Sequence, residues 1–407
     1  MPAGFFSAAT LTPARAPAYT VPRCGKCGLL RGCTTPKMPV SGRGKRGILI
    51  VGEAPGKDED ERGVQFIGRA GQKLSAILDS IGVDLRRDCW ITNALSCRPP
   101  RNKIDDAKKI DYCRPLVYDA INRLKPHTII PLGAHAVRSV IGPHWKDDTG
   151  EIGKWVGWQI PLRKPDAWVC PTWHPSYLLR QNDPVLELWF RKHLKRAFRL
   201  ESTPWGGKPP EYEKEIEIYP DAADAAKRIT AMGLLGDFPA TWDVETTHLK
   251  PDHPDAKIVC MSICWEGKTT IAFPFAGPVL NAVRAFLRSH APKRGYNAKF
   301  ESRWSYAKLG VWPRNWEWDG MQAAHVADNR RGICGLKFQA FVRLGQPVYN
   351  AHIEPFLTGD GGGNSPNKIG QVDFTQLARY CGLDSLLEWK VSELQRKELG
   401  YENLDTD

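Results

Sequence analysis

Carboxylates and an aromatic ring crowd one short stretch near the start of the chain. Four acidic residues, 58 to 61, follow Glu53, and Phe66 stands between two glycines a few positions later. An aromatic face beside acidic groups suits a reactive pocket better than a surface turn. The stretch is acidic where a phosphate would sit, and neither common phosphate-loop motif is present. A plain surface loop stays open as the alternative.

Three predicted strands are positioned to bring polar side chains to this pocket. The apolar run from Ile48 to Val51, flanked by glycines, predicts a buried strand of a parallel sheet. A later strand ends at Asn93, and another leads through a proline to His174. Because ligands of open α/β sheets bind at the carboxyl ends of strands, we expect these side chains at one rim. The plainer interpretations are a turn cap for the asparagine and a structural histidine.

Four cysteines have a spacing that suits metal binding. Cys24 and Cys27 form a C-x-x-C pair, and a wider pair follows at Cys97 and Cys113. Thiols in this arrangement hold either zinc or an iron-sulfur cluster. The spacing alone leaves cluster, zinc and unligated thiols open. Eleven cysteines without even pairing, and no signal-peptide pattern at the start, predict a reducing, cytoplasmic environment.

A second set of acids occurs in the other half of the chain. Asp243 and Glu245 are two residues apart, so on a strand both carboxylates point to one face. Like charges held that close favour a divalent cation, with a solvated face as the alternative. Glu301 follows, and Asp384 comes four residues after Tyr380, which places phenol and carboxylate on one face of a helix.

Length and charge predict two domains of different character, and the alternation of predicted strands and helices in the first half places that half in the α/β class. The 407 residues, 42% of them hydrophobic, are enough for two cores. Residues 1–200 carry 33 basic and 18 acidic side chains, a charge of +15, whereas the remainder carries 24 and 27, or −3. This asymmetry suggests a unit that holds nucleic acid and one that holds metal, although a merely soluble surface would also be basic. No apolar run approaches the roughly 18 residues of a membrane helix, so no membrane partner is expected. We predict a flexible arm at residues 1–20 and a first domain at residues 21–200. A Pro/Gly-rich linker at residues 201–214 leads to a second domain at residues 215–407.

The first half, from about Cys24 to about Arg199, resembles the family 4 uracil-DNA glycosylases, the type that carries a [4Fe-4S] cluster. The motifs that carry the resemblance are VGEAPGKDEDERGVQFIGRAG, ITNALSCRPPRN, LKPHTIIPLGAHA and WHPSYLLR. Gln65 and Ser96 depart from the usual residues without removing a catalytic group. The resemblance implies a uracil-DNA glycosylase-like α/β/α sandwich. It also implies four cluster ligands, namely Cys24, Cys27, Cys97 and Cys113.

The same resemblance implies a role for each polar residue of the pocket. Phe66 would stack on a uracil flipped out of the DNA, and Asn93 would hydrogen-bond its Watson–Crick edge. His174 would donate to the negative charge that develops on the uracil O2. Glu53 would place the attacking water, and Glu59 is a second candidate for shaping the water site. These roles suit base excision, since the base must leave the stack and enter a closed pocket.

The second half resembles the DEDDy 3′-5′ exonucleases found beside family A DNA polymerases, through D-x-E, N-x-K-F-E and Y-x-x-x-D in order. The resemblance implies a ribonuclease H-like fold. Asp243, Glu245, Glu301 and Asp384 would hold two Mg²⁺ or Mn²⁺ ions, and Tyr380 would orient the water that attacks the terminal phosphodiester. Glu301 stands where aspartate is usual and reaches about 1.5 Å further.

The sequence therefore predicts a bifunctional enzyme of DNA repair or replication. Its substrates would be uracil-containing DNA and single-stranded 3′ ends. Because the chain ends soon after the last exonuclease motif, a separately encoded DNA polymerase is the expected partner, in the cytoplasm of a bacterium or of a phage-infected host. The alternative is an exonuclease whose glycosylase-like domain is a non-catalytic DNA-binding clamp.

Overall fold

The computed structural model of the chain describes residues 24–146, 148–232, 238–359 and 361–401. The chain divides into two compact units, Met1–Gly207 and Lys208–Asp407, with the boundary at a position within the predicted linker of residues 201–214. The predicted arm of residues 1–20 lies outside the described residues. In the described ranges, no helix has both the length and the apolar character needed to cross a membrane.

The first unit is an α/β domain built on a five-stranded sheet. Its strands are β1 Ile48–Gly52, β2 Cys89–Asn93, β3 Thr128–Pro131, β4 Ile160–Leu162 and β5 Ala167–Val169. Its helices are α1 Lys57–Arg62, α2 Arg69–Asp79, α3 Leu85–Asp88, α4 Lys108–Leu124, α5 Ala134–Ile141, α6 Pro175–Gln181 and α7 Pro184–Ala197.

The order of the first sheet gathers several strand ends at one rim. The order is β2-β1-β3-β5-β4, and all neighbouring pairs are parallel except β4 with β5. Gly52 pairs with Asn93 at the ends of β1 and β2. Apolar side chains of α2 and α7 pack with Ile48 and Ile50 of the fully buried β1 in one core. The predicted parallel strands are thus present, and the short antiparallel β4 is an addition that the sequence did not signal.

The second unit is also α/β and has a six-stranded mixed sheet. Its strands are β6 Ile216–Ile218, β7 Ala240–Thr246, β8 Ile258–Trp265, β9 Thr269–Pro274, β10 Lys293–Gly295 and β11 Trp316–Asp319. Its helices are α8 Ala222–Ala231, α9 Val279–Arg288, α10 Ala298–Leu309, α11 Gly320–Ala327, α12 Leu336–Leu344, α13 Glu354–Leu357 and α14 Phe374–Glu398.

The strand order identifies the fold class of this unit. The order is β11-β10-β7-β8-β9-β6, with β8 antiparallel to both neighbours and β10 and β11 parallel to β7. Counted from β7, the strands from β11 to β9 follow the order 5-4-1-2-3 of a ribonuclease H-like sheet, and β6 extends the sheet beside β9. The 25-residue α14 packs across the sheet and buries Leu377, Cys381 and Leu387 in the core. The predicted α/β fold class, with a ribonuclease H-like second domain, is confirmed.

Candidate active sites

A cleft of about 600 Å³ opens at the rim of the first sheet and gathers four predicted side chains. Glu53 follows β1, Asn93 ends β2, and His174 precedes α6, while Phe66 comes from the segment between α1 and α2. These residues are widely separated in the sequence. The parallel sheet brings them together because the carboxyl ends of its strands share one edge.

Two glycines permit this close approach. A Cβ on Gly52 would lie 2.3 Å from the Asn93 Oδ1 atom and 2.7 Å from the Phe66 ring. A Cβ on Gly133, whose φ is +90°, would lie 2.3 Å from a carboxylate oxygen of Glu53. Any larger residue would therefore displace the side chains that line the cleft.

Glu59 holds the backbone on which the aromatic ring is mounted. Its Oε1 accepts hydrogen bonds from the backbone N–H groups of Ile67 at 3.0 Å and Gly68 at 2.8 Å, and its Oε2 accepts from Gly56 at 3.1 Å. The ring of Phe66 lies 6.2 Å, centroid to centroid, from that of His174 and is inclined to it by 29°. Glu59 lines the cleft, and these contacts hold the backbone that carries the aromatic ring. A part for Glu59 in shaping the water site stays a prediction.

The hydrogen bonds of His174 define which ring nitrogen carries the proton. Nδ1 accepts a hydrogen bond from the backbone N–H of Ser176 at 3.2 Å, so in the neutral ring the proton lies on Nε2. Burial, with Arg180 and His135 nearby, lowers the pKa of His174 to about 4. At neutral pH the cleft therefore contains a neutral imidazole whose Nε2–H is a donor.

Glu53 occupies an environment that opposes its ionisation. Burial raises the pKa of Glu53 to about 7, although backbone N–H groups of His135 and Ala134 and the charge of Arg180 act in the opposite direction. These two N–H groups begin α5, where the helix dipole favours an anion. Glu53 can consequently exchange a proton near neutral pH, which is what a group that activates water requires.

Further cationic and polar side chains line the cleft, and the sequence analysis did not single them out. Arg180 donates to the Ser176 hydroxyl at 3.1 Å and so lies beside the histidine. Three more basic residues stand on the cleft lining, namely Lys57, Arg69 and Lys103. The sequence motifs do not distinguish these basic residues from solvated surface charges, because the residues come together only in the folded chain.

The four predicted cluster ligands line one small apolar cavity. Its remaining lining is mainly leucines and the ring of Tyr112. The backbone N–H of Lys37 donates to the Cys97 sulfur at 3.3 Å, and that of Ser96 donates to the Cys113 sulfur at 3.3 Å. Such N–H donors stabilise thiolate sulfur in iron-sulfur centres. The cavity lining is Cys24, Cys27, Cys97 and Cys113 with Leu29, Leu30, Leu95 and Leu116.

The second unit places two acids of β7 against α14. Asp243 and Glu245 project from the same face of the strand, while Trp242 belongs to the core on the other face. The Cys381 thiol donates to Asp243 Oδ2 at 3.7 Å. Burial and the neighbouring carboxylate of Asp384 raise the pKa of Asp243, because several acidic groups share a desolvated site.

Lys337 of α12 joins the predicted tyrosine to the predicted aspartate. Its Nζ donates to the Asp384 Oδ2 at 2.7 Å and to the Tyr380 hydroxyl at 2.8 Å. The Tyr349 hydroxyl donates to the other oxygen of Asp384. Burial, assisted by the Asp384 charge, raises the pKa of Tyr380, so the phenol stays neutral. Sequence reasoning missed Lys337 and Tyr349, since neither belongs to one of the three motifs.

Glu301 reaches the same cluster from α10. Its carboxylate, together with those of Asp243 and Glu388, places oxygen atoms within 4.8 Å of one another. Asp319 anchors the start of α10 by accepting the N–H groups of Asn297 at 3.2 Å and Ala298 at 2.9 Å. Asp319 therefore supports the helix that carries Glu301. The carboxylate oxygens gathered here match the preference of Mg²⁺ and Mn²⁺ for hard ligands.

The first unit matches a described superfamily. A family model for the uracil DNA glycosylase superfamily matches residues 40–199. The type-4 uracil-DNA glycosylase of Pyrobaculum aerophilum is 36% identical over 187 residues, which cover 44% of this chain and 89% of that protein. The chain therefore belongs, through its first unit, to the type-4 uracil-DNA glycosylases.

Two DNA polymerases are also similar to the chain. A DNA polymerase of Bacillus phage SP01 is 25% identical over 329 residues, covering 72% of this chain and 34% of the polymerase. DNA polymerase I of Chloroflexus aurantiacus is 28% identical over 190 residues, covering 44% of this chain and 19% of that protein. The first of these matches is longer than either unit, so it includes parts of both. The predicted combination of a uracil-DNA glycosylase-type domain with a ribonuclease H-like domain is confirmed.

Proposed function

We propose that the chain is a bifunctional DNA-processing enzyme that excises uracil with its first unit and removes 3′-terminal nucleotides with its second. The observation that carries the first activity is the convergence of Glu53, Phe66, Asn93 and His174 on one cleft. The gathering of Asp243, Glu245, Glu301 and Asp384 around β7 and α14 supports the second.

In the excision reaction, each cleft residue has a task that its geometry supports. A uracil flipped out of the DNA stacks on Phe66 and pairs through its Watson–Crick edge with the Asn93 amide. The Nε2–H of His174 donates to the uracil O2, where negative charge develops as the N-glycosidic bond breaks. Ionised Glu53 positions and deprotonates the water that attacks the sugar. The basic side chains around the cleft bind the phosphates of the DNA backbone.

Cys24, Cys27, Cys97 and Cys113 would hold a [4Fe-4S] cluster in this scheme. Their shared apolar cavity and the N–H donors to two of the sulfurs support that choice over unligated thiols. The cluster would supply a structural link, and no step of the excision passes through it. Cys33 packs against the apolar side chains around this cavity, which include Leu29 and Leu95, but it does not line the cavity.

In the nuclease reaction, the acids of the second unit would hold two divalent cations, which lower the cost of charge on the attacking and leaving oxygens. The residues of this chain then position the reactants. Neutral Tyr380, held by Lys337, orients the attacking water beside Asp384. A channel lined by Phe300, Leu249 and residues from the ranges 357–359 and 362–367 runs next to Glu245 and suits an extended single strand.

Similarity to two polymerases supports a further part of the proposal, namely that the nuclease works beside a DNA polymerase during replication or repair. All eleven cysteines are free of disulfides, which supports a reducing cytoplasmic location. A pull-down with the replicative polymerase of the source cell, showing neither contact nor stimulation, would remove the polymerase from the proposal.

Excision is tested with a single-stranded oligonucleotide that contains one uracil, incubated in EDTA and then treated with alkali. We expect cleavage at the uracil, since excision needs no free divalent metal, and no cleavage with Glu53→Gln. The same oligonucleotide without uracil, incubated in Mg²⁺, should shorten from its 3′ end unless Asp243 is replaced by asparagine. Binding of DNA without an alkali-labile product would instead favour the non-catalytic clamp.

A further inference from the structure

A fifth carboxylate stands in the acidic cluster of the second unit. Glu388 lies one helical turn beyond Asp384 on α14, so both side chains project from the same face of the helix. The residue is only 3% exposed, and one of its carboxylate oxygens lies within 4.8 Å of one oxygen of Asp243 and one of Glu301. The tyrosine motif therefore continues as Y-x-x-x-D-x-x-x-E in this chain.

Two oxygen atoms of this cluster have no hydrogen-bond partner in the part of the chain that the structure describes. They are the Oε2 atoms of Glu301 and Glu388, both buried. An unpaired carboxylate oxygen in a protein interior is costly, since water no longer solvates it. The ammonium group of Lys337 donates to Asp384 and Tyr380, and neither of the two Oε2 atoms accepts a hydrogen bond from it.

The spacing of the oxygens suits one divalent cation. Oxygen ligands lie about 2.1 Å from Mg²⁺ and up to about 2.4 Å from larger divalent ions, so oxygens on opposite sides of one ion are about 4.2 to 4.8 Å apart. Oxygens of Asp243, Glu301 and Glu388 that are mutually within 4.8 Å can therefore surround a single ion. A cation there would neutralise the two carboxylates that carry the unpaired oxygens, those of Glu301 and Glu388.

We propose that Glu388 is a ligand of the divalent cation that Asp243 and Glu301 hold, so that the site uses five carboxylates rather than four. The inference rests on the proposed nuclease function of the second unit. It also explains how Glu301 serves where aspartate is usual, since its carboxylate reaches those of Asp243 and Glu388.

The test measures how tightly the full-length chain binds Mn²⁺. The electron paramagnetic resonance signal of free Mn²⁺ reports how much of the ion remains unbound. Glu388→Gln keeps the size of the side chain but removes its charge, and we expect at least about a tenfold loss of affinity at one Mn²⁺ site. Glu393→Gln is the matched control, because it removes an acid of the same helix that pairs with Arg294 instead. The control should bind Mn²⁺ as the wild type does.

Thermal unfolding of the same proteins guards against a folding defect. In EDTA, Glu388→Gln should melt at or above the wild-type temperature, since an unpaired buried charge has been removed, and added Mn²⁺ should raise its melting temperature less. Wild-type affinity and stoichiometry in Glu388→Gln would overturn the inference while leaving the nuclease proposal intact. If the wild type itself neither binds Mn²⁺ nor degrades 3′ ends in Mn²⁺, the nuclease proposal fails, and this inference fails with it.

Discussion

Replacing Glu53 by glutamine should abolish uracil excision and, at the same time, make the first unit more stable at alkaline pH. The carboxyl is held in the cleft wall, where burial raises its pKa from 4.5 to about 7. Ionising this carboxyl therefore costs about 3 kcal/mol more in the folded state than in the unfolded chain. Water in the open cleft screens part of this cost, so the value is an upper bound. Glutamine has the same shape and never ionises.

Proton linkage gives the direction in which the stability of the first unit changes with pH. Because the pKa of Glu53 is higher in the folded than in the unfolded state, its favourable contribution is complete below pH 4.5 and is lost as the pH rises through about 7. The stability advantage of Glu53→Gln over the wild type should therefore grow with pH. Between pH 5.5 and pH 8.5 the increase should be about 2 kcal/mol.

Hydrogen exchange of peptides that contain β1 measures this difference in the full-length chain. Glu61→Gln is the matched control, since it removes a charge from the same acidic stretch at a mostly exposed side chain. The control should change stability by no more than about 0.5 kcal/mol at any pH. A difference between Glu53→Gln and wild type that does not vary with pH would refute the reasoning about the buried carboxyl.

The pH profile of excision by the wild type checks the catalytic part of the same reasoning. The rate should rise with pH as Glu53 ionises and should level off above about pH 7. His174 should add no second step in this range, because burial lowers its pKa to about 4. An excision rate that is independent of pH between 5.5 and 8.5 would show that Glu53 does not act as the base.

Three more predictions concern the supports of the two sites. Gly52→Ala should slow excision about a hundredfold, since its Cβ would lie 2.3 Å from the Asn93 amide oxygen. Gly153→Ala is the control, because a Cβ there meets open space, and it should leave the rate unchanged. Equal excision rates of the two variants would contradict the crowding argument. Lys337→Met should reduce 3′-end degradation in Mg²⁺ by about 10- to 100-fold without affecting excision, and wild-type degradation would exclude a positioning role. Cys113→Ser, purified without oxygen, should lose the broad visible absorbance of the wild type, and an unchanged spectrum would remove this thiol from the ligand set.

Residues that belong to strand ends and to short motifs were the most predictable from the sequence. Apolar runs located β1 and β2, so Asn93 could be placed at a sheet rim before the fold was known. The two-residue spacing of Asp243 and Glu245 likewise predicted a shared face of β7. In each case the side-chain direction follows from a local period of the backbone, which the sequence displays directly.

Local patterns were less informative where tertiary contacts decide. The sequence predicts a loop for the acidic stretch, but residues 57–62 form α1, whose start is held by the Glu59 carboxylate as it accepts the Gly56 backbone N–H at 3.1 Å. Four successive acidic residues leave no apolar residues at helical spacing, so the sequence pattern did not predict this helix. The contacts of Lys337 with Tyr380 and Asp384 depend on the packing of α12 against α14, which no spacing along the chain reveals.

One assay addresses most directly the central claim that this chain combines two hydrolytic activities. A single full-length preparation is given a 5′-labelled single-stranded oligonucleotide with one internal uracil, in EDTA and in Mg²⁺. We predict an alkali-labile site at the uracil in both conditions and a 3′ ladder in Mg²⁺ alone. Glu53→Gln should lose only the alkali-labile site, and Asp243→Asn should lose only the ladder. Absence of either product from the wild type, or loss of both in one of these variants, would contradict two separate active sites in one chain.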